Sequence, residues 1–317
     1  MTSLLHGWPG RRPVAWTAFI LILLPGTRSH ADMPRTFPRY ERTVMTWVPP
    51  YAVDVCRARL AETFDGMGMK DAITHLGLQF WVPAEGGGIA RAGRDGGPGD
   101  EAIIALRDWA HEHGIRVLLC IYNGSRGWDW PLAKQAFADH PGPFADALLA
   151  EVRRLQLDGV DVDLEGNGEH ERDKAAYVAF IRRLSEQLHA EGGHLTVDTF
   201  AYRWHAPNQT WWPDILPWVD GLTTMGYEET GAHATMWRSF EAQLTAAGDH
   251  AAKLMIGLPS GKDTWQGNTV AEHLQWLRQD GRPGASFWDA QLRGATWRTR
   301  DTWTLIRDIR NGPPKGP

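Results

Sequence analysis

The chain has 317 residues, of which 43% are hydrophobic and 22% charged, and its formal net charge is -5 at neutral pH. These values are typical of a soluble globular protein that is long enough to bury one sizeable core. The basic residues are scattered along the chain and the mild net charge is negative, which argues against a nucleic-acid-binding function.

The cysteine content limits the fold further, because only Cys56 and Cys120 are present. Two distant cysteines exclude a disulfide-rich scaffold, and no cysteine and histidine set has zinc-finger spacing. The two thiols either pair in an oxidising compartment or stay apart as small buried apolar groups.

Residues 1–31 have the pattern of a secretory signal peptide. Arg11 and Arg12 precede the apolar run "VAWTAFILILL", which is too short to span a bilayer comfortably, and Ser29 and Ala31 are the small residues expected before a cleavage site. We expect a secreted or periplasmic protein with no membrane span in its mature form. An uncleaved membrane anchor is the alternative.

Eight short apolar runs rich in β-forming residues follow this segment, and we predict each to be a strand. They are "RTVMTWV" (42–48), "HLGLQFWV" (75–82), "RVLLCIY" (116–122), "LDGVDVDLE" (157–165), "HLTVDTFA" (194–201), "VDGLTTMGY" (219–227), "KLMIGLP" (253–259) and "GASFW" (284–288).

The segments between these runs have helical periodicity, clearest in the stripe formed by Tyr177, Phe180, Ile181, Leu184 and Leu188. Eight strand-then-helix units predict a single (β/α)8 TIM barrel over residues 32–311, with a flexible tail at 312–317. A doubly wound sheet is the competing fold, but no G-x-G-x-x-G turn follows the first strand. The glycine-rich segment 83–100 is predicted to be a flexible loop on the barrel rim.

The fourth strand contains an unusual series of acids. Side chains alternate along a strand, so Asp161, Asp163 and Glu165 project to one face, which in a barrel is the interior. Three carboxylates on one face repel each other and lose water, so at least one should keep its proton to a higher pH than a free acid does. A general acid requires that property.

Two other interpretations of the acids remain open. They can coordinate a metal ion, although such a site usually takes oxygens from several elements. They can also be the charged end of a strand, solvated or paired with arginine.

The fourth strand also resembles a known signature. "DGVDVDLE" is similar to the D-G-x-D-x-D-x-E motif of glycoside hydrolase family 18, the chitinases and endo-β-N-acetylglucosaminidases. "MGYEETG" (225–231) resembles that family's M-x-Y-D-x-x-G at strand six, and Trp288 falls where its eighth strand carries a tryptophan under the sugar. The resemblance covers essentially the whole chain after residue 31.

This resemblance implies a retaining hydrolysis in which the substrate's own N-acetyl group attacks the anomeric carbon. Glu165 is then the acid and later the base, Asp163 orients the acetamido group, Asp161 shares a proton with Asp163, and Tyr227 donates to the acetamido oxygen. The expected substrate-binding residues are Trp288, Met225, Glu228 and Trp81.

The sequence departs from the family pattern in ways that bear on the substrate. Glu228 replaces an aspartate, Cys120 replaces a serine, and only about 25 residues separate Pro259 from Gly284, too few for the insertion domain of many chitinases. We expect an open cleft, no metal or other cofactor, and a monomer acting on chito-oligosaccharide, glycoprotein glycan or cell-wall glycan. A lectin-like barrel that binds such sugars without cleaving them is the alternative.

Overall fold

The computed structural model describes residues 35–93, 96–124, 127–166, 170–201, 205–225, 236–265 and 267–312, without the side chains of 170–171 and 236–239. Contacts divide the chain into two units, Met1–Thr36 and Phe37–Pro317. Only residues 35–36 of the first unit are described. The predicted boundaries at residues 31 and 311 therefore stay predictions.

The second unit is a closed parallel barrel, as predicted. Its strands are β1 (Val44–Val48), β4 (His75–Pro83), β6 (Arg116–Tyr122), β7 (Gly159–Asp163), β8 (His194–Thr199), β9 (Gly221–Thr224), β10 (Leu254–Pro259) and β13 (Gly284–Trp288). Neighbouring strands pair in parallel around the ring, and the pairing of β1 with both β4 and β13 closes it. Each strand overlaps one of the eight predicted runs.

The helices follow the strands and cover the outside of the barrel. They are α1 (Val53–Ala61), α2 (Asp100–Glu112), α3 (Trp130–Lys134), α4 (Pro141–Leu155), α5 (His170–Ala190), α6 (Trp212–Ile215), α7 (Met236–Ala247), α8 (Val270–Asp280) and α9 (Arg300–Asn311). The apolar stripe predicted for α5 is buried along its whole length. The outward-facing residues of the strands pack against the inward-facing stripes of the helices. This contact removes apolar surface from water, which stabilises the layered arrangement.

The core has two layers, separated by the barrel wall. The larger cluster lies between strands and helices and includes Val160, Val162 and Leu164 of the acid-rich strand. The smaller one fills the barrel interior and consists of Met45, Trp47, Leu118, Cys120 and Met255, with Trp288 packed against it. The alternation along β7 therefore sends its apolar residues outward and its acids inward, as the sequence predicts.

Two short antiparallel strand pairs lie outside the barrel sheet. They are β2 (Thr63–Phe64) with β3 (Met67–Gly68), and β11 (Thr264–Trp265) with β12 (Asn268–Thr269). A further strand, β5 (Ile89–Arg91), pairs with the end of β4. The prediction of a flexible loop over 83–100 did not anticipate this strand. Backbone pairing with β4 gives the segment a fixed place on the rim, since each paired N–H and C=O has a partner.

The described residues decide between the two states that the sequence left open for the cysteines. Cys56 and Cys120 are free and buried, one in the outer core and the other inside the barrel. Among the helices of the described residues, none is long and apolar enough to cross a bilayer.

Candidate active site

The acid series of β7 lies inside the barrel at its C-terminal end. Asp161 and Asp163 belong to the strand, and Glu165 follows it by two residues. All three are buried, with exposed fractions of 0%, 4% and 8%. The exposure rises toward the mouth, so Glu165 is the member nearest the solvent.

Asp161, the innermost acid, accepts hydrogen bonds on both carboxyl oxygens. Trp47 Nε1 on β1 donates to Oδ2 over 2.8 Å, and Thr196 Oγ1 on β8 donates to Oδ1 over 2.5 Å. The register of the sheet places Thr196 directly opposite Asp161. Two donors of this kind favour the ionised form of Asp161 against the cost of its burial.

Asp163 accepts a hydrogen bond from Gln79 Nε2 on β4 over 2.9 Å. Its other carboxyl oxygen receives no hydrogen bond from an N–H or hydroxyl group of the described chain. The Glu165 carboxyl is hydrogen-bonded to Asp163. Two carboxyl groups can make that bond only when one of them carries a proton.

The backbone of Glu165 is fixed by the side chain of Asn123, which follows β6. Asn123 Nδ2 donates to the Glu165 carbonyl over 2.7 Å, and the Glu165 N–H donates to Asn123 Oδ1 over 2.9 Å. Both groups are buried, so the paired hydrogen bonds are shielded from water. Glu165 lies two residues beyond the end of β7, so strand pairing does not hold its backbone. The two hydrogen bonds to Asn123 hold it instead.

Burial and mutual repulsion set the proton affinities of the acids. Desolvation raises the pKa of Asp163 to about 7, an effect that the Asp161 charge increases and the hydrogen bonds from Glu165 and Gln79 oppose. Desolvation and then the Asp163 charge raise the pKa of Glu165 well above its ordinary value. Desolvation also raises the pKa of Asp161, against the donors Thr196 and Trp47.

The raised pKa therefore lets Glu165 keep its proton to a higher pH than a free carboxyl does, with the Asp163 carboxyl beside it. Glu165 can deliver that proton to a leaving group at the mouth, and Asp163 can accept a hydrogen bond from a substrate N–H or stabilise positive charge. The pair is suited to acid-assisted cleavage of a bond whose transition state is cationic.

A cleft of about 1230 Å³ opens beside the acids. Its walls come from three segments that follow β1, β4 and β6, and they include Gln79 and Asn123. The Gln79 side chain donates to the Asp163 carboxyl and the Asn123 side chain to the Glu165 backbone carbonyl, so these two wall residues connect the cleft with the acid residues. The site thus lies at the C-terminal face of the barrel, where enzymes of this fold carry their catalytic groups.

A family model for glycosyl hydrolases family 18 matches residues 71–304. The chain belongs to this family. Membership supports a glycosidase activity. Chitinase A1 of Niallia circulans is 25% identical over 213 aligned residues, which cover 52% of this chain and 29% of that protein, so the chain matches less than a third of the length of this relative.

Solved structures are similar in fold. A chitinase from Chromobacterium violaceum ATCC 12472 superposes with a TM-score of 0.64 at 15% identity, covering 84% of this chain and 98% of that one. The spore cortex-lytic enzyme SleL of Bacillus megaterium QM B1551 gives a TM-score of 0.62 at 13% identity, covering 84% and 74%. At identities this low, the similarity shows that these proteins and this chain share the barrel fold.

The described residues include some members of the family motifs and leave out others. The three acids of β7 converge, and Trp288 at the end of β13 lies half-buried in the inner cluster, 6.0 Å from Trp47 between ring centroids. Met225 follows β9 directly and is buried, and its N–H donates to the Thr199 carbonyl. Tyr227 and Glu228 lie outside the described residues, so their predicted roles stay predictions.

Trp81 requires a correction, because the structure does not bring it to the acid cluster. The register of β4 against β6 shifts between Leu78 and Trp81, which reverses the alternation. The Trp81 ring is buried in the outer core, its Nε1 donates to Glu151 on α4, and the Arg91 guanidinium covers its face. A sugar contact is therefore wrong for Trp81.

Sequence reasoning missed four polar side chains that hydrogen-bond to the acid residues, and a further buried carboxyl beside them. The four are Trp47, Gln79, Asn123 and Thr196, and the carboxyl belongs to Asp198. Strand parity could have found Thr196 and Asp198, which alternate along β8 on the face that meets Asp161. No local signal marks Trp47, Gln79 or Asn123, since their partners are 114, 84 and 42 residues away.

Cys120, Asp163 and Asp198 each place a ligand-type atom within 4.8 Å of the others. Metal binding at this group requires deprotonated ligands. Burial instead raises the pKa of the Cys120 thiol and of Asp198 well above their ordinary values. A cation at these three side chains would therefore have to displace protons.

Proposed function

We propose that the chain is a hydrolase of β-linked N-acetylglucosamine glycans that works by a retaining, substrate-assisted mechanism. The observation that carries the proposal is the buried Glu165–Asp163 pair, in which a proton-holding carboxyl stands beside an acceptor at the end of an open cleft. Family 18 enzymes are an exception to the use of a second carboxylate as nucleophile.

Each proton in this reaction has a place in the site. Glu165 gives its proton to the glycosidic oxygen as that bond breaks, and the acetamido carbonyl oxygen bonds to the anomeric carbon. Asp163 accepts the acetamido N–H and stabilises the positive oxazolinium-like intermediate. Glu165, now a carboxylate, then takes a proton from water as the water oxygen replaces the acetamido oxygen, which restores the starting state.

The cleft has the character of a sugar-binding surface. Tyr51, which lines the cleft, is 71% exposed, and Trp128, which is 50% exposed, lies against Gly124 of the cleft wall. Flat aromatic rings suit the apolar faces of sugars. Arg91, the cation among the described wall residues, is paired with Asp100 and Glu151, so its charge is already balanced.

The similar proteins narrow the substrates to test. One similar protein is a chitinase and another is a spore cortex-lytic enzyme, so chito-oligosaccharide and cell-wall glycan come first, and high-mannose glycoprotein is the third. The short connection between β10 and β13 contains only β11, β12 and α8 among described elements. An open cleft of this kind favours short or branched glycans over a crystalline polymer.

The test is mass spectrometry of the products that the full chain and Glu165→Gln release from these three substrates. Because the amide holds no transferable proton, we expect the variant to be slower by about 100-fold or more. Glu186→Gln, an exposed change on α5, is the matched control and should keep the original rate. Unchanged cleavage by Glu165→Gln contradicts the mechanism.

Two further arms separate the alternatives. Sugar binding by the unmodified chain without any product supports a lectin-like barrel. Loss of cleavage in excess chelator supports a metal-dependent hydrolase.

We also propose that the protein is exported, with removal of residues 1–31, and acts as a monomer. The apolar run at 14–24 with its small residues at 29 and 31 supports export. The intact mass of the protein recovered outside the cytoplasm tests the cleavage, and light scattering tests the monomer. A mass that includes residues 1–31 contradicts the cleavage.

A further inference from the structure

Tyr122 is the last residue of β6 and lies beside the acid cluster. The sheet register makes it the partner of Asp163 on the neighbouring strand β7. Side chains alternate along β6, where Cys120 packs in the inner cluster and Ile121 in the outer one. Tyr122 therefore projects to the interior of the barrel, on the same face as Asp163, and it lines the cleft.

The hydroxyl group of Tyr122 has no hydrogen-bond partner among the residues that the structure describes. Tyr122 is only 8% exposed, yet its oxygen stays in contact with the open cleft. Solvent in the cleft can satisfy such a donor in the free protein. A ligand that displaces this solvent has to replace the hydrogen bond, because binding is weakened by its loss. The hydroxyl therefore indicates that the ligand of the cleft offers an acceptor at this place.

The polar residues next to Tyr122 in the cleft wall already hold the acids. The Asn123 amide makes two hydrogen bonds to the Glu165 backbone, and Gln79 donates to the Asp163 carboxyl. The Tyr122 hydroxyl makes no such contact in the described chain, so it can turn toward a ligand without releasing an acid.

The Tyr122 hydroxyl also keeps its proton. Burial is the main cause that raises the pKa of Tyr122 to about 12, with smaller contributions from Cys120, Asp163 and Tyr51. The group is therefore a neutral hydroxyl, and a hydrogen-bond donor, over the whole pH range in which Glu165 and Asp163 titrate.

We propose that Tyr122 is a further substrate-binding residue, whose hydroxyl donates a hydrogen bond to an oxygen of the N-acetylhexosamine that carries the reacting acetamido group. This role rests on the proposed function, which places that sugar beside Asp163. Neighbouring strands lie about 4.8 Å apart, so a side chain in register with Asp163 reaches the same sugar ring.

The kinetic test is Tyr122→Phe, which removes the hydroxyl and keeps the ring. Loss of one neutral hydrogen bond to the bound sugar should raise KM for chito-oligosaccharide by about 3- to 10-fold and leave kcat within about twofold. The unfolding midpoint should not change, since no described group bonds to the hydroxyl. An unchanged KM overturns the proposal. A shifted pH dependence of kcat with an unchanged KM also overturns it, because the hydroxyl then acts on Asp163 and not on the sugar.

Tyr40→Phe is the matched control, because it removes the same group away from the cleft. Tyr40 precedes β1, toward the N-terminal ends of the strands, and the Arg310 guanidinium of α9 lies 4.1 Å from its ring centroid. Phenylalanine keeps this ring contact. The control should therefore leave both KM and kcat at their original values.

A binding measurement separates this inference from the proposed function. Glu165→Gln keeps the cleft but lacks the general acid, so calorimetry with tetra-N-acetylchitotetraose measures affinity without turnover. Adding Tyr122→Phe should weaken binding by about 3- to 10-fold, and adding Tyr40→Phe should not change it.

The outcomes of this measurement differ for the two proposals. Equal affinities with and without Tyr122→Phe overturn the inference and leave the proposed function standing. Weaker binding with Tyr122→Phe, together with no hydrolysis by the unmodified chain, supports the inference and contradicts the proposed function. Absence of binding to Glu165→Gln overturns the inference as well, since the role of Tyr122 needs that sugar in the site.

Discussion

Asp163→Asn should stabilise the fold at neutral and alkaline pH while it impairs catalysis. The folded chain holds the Asp163 proton more tightly than the unfolded chain does, because burial raises the pKa from 3.8 to about 7. The stabilisation from the protonated form is complete below pH 3.8 and is lost as the pH rises through about 7. An amide never ionises, so the variant avoids this loss.

The magnitude follows from the size of the shift. At about 1.4 kcal/mol per pKa unit, the interval from 3.8 to about 7 corresponds to about 4 kcal/mol at pH 8. The amide keeps an oxygen for the Gln79 donor but turns an N–H toward its neighbours, which costs about 1 kcal/mol. A net gain of about 2 to 3 kcal/mol raises the unfolding midpoint by roughly 3 to 5 °C for a chain of this size.

Thermal and denaturant unfolding of both proteins from pH 4 to pH 8 measures the effect. The gain should be near zero or negative at pH 4 and should grow steadily toward pH 8. Glu186→Gln, which removes an exposed acid on α5, should change stability by less than about 0.5 kcal/mol at every pH. A stability difference between Asp163→Asn and the unmodified chain that is independent of pH, or that shrinks as the pH rises, refutes the reasoning.

Two more predictions follow from contacts away from the reacting atoms. Asn123→Ala removes both hydrogen bonds to the Glu165 backbone, so we expect kcat to fall by about 10- to 100-fold with a smaller change in KM, measured by steady-state hydrolysis; an unchanged kcat contradicts the positioning role. His75 and His194 meet across the floor of the barrel over 3.3 Å, and burial, as the main cause, lowers the pKa of each. Stability should therefore be lost as the pH falls below 6.5, and His75→Gln should reduce the loss in melting temperature between pH 7 and pH 5, whereas an equal loss in both proteins contradicts this account.

The fold could be predicted from the sequence because each strand-and-helix unit carries its own periodicity. The α5 stripe and the runs at 116–122 and 284–288 reappear as buried elements with the predicted bounds. The strand β5 could not be predicted, since a three-residue strand in a glycine-rich segment has too little periodicity to detect. It exists because the unpaired edge at the end of β4 offers backbone partners.

The site was predictable only where function needs several acids at fixed spacing on one strand. Asp161, Asp163 and Glu165 are local in sequence, and alternation alone assigns their face. Their donors come from other strands and depend on the register of the closed barrel, which a single sequence does not specify. The same limit explains the error at Trp81, where a register shift in β4 turns the ring into the outer core.

The two buried titrating groups of the barrel respond to pH in opposite directions. The acid cluster at the mouth loses stability as the pH rises from 3.8 toward about 7, because folded Asp163 gives up its proton later than the unfolded chain does. The histidine pair at the floor loses stability as the pH falls below 6.5, because the unfolded chain takes up protons that the folded chain excludes. Between pH 3.8 and 6.5 the two effects therefore oppose each other, and each offsets part of the pH dependence of the other. Burial and the Asp163 charge also raise the pKa of Glu165, so the general acid keeps its proton over more of this interval than a free carboxyl does.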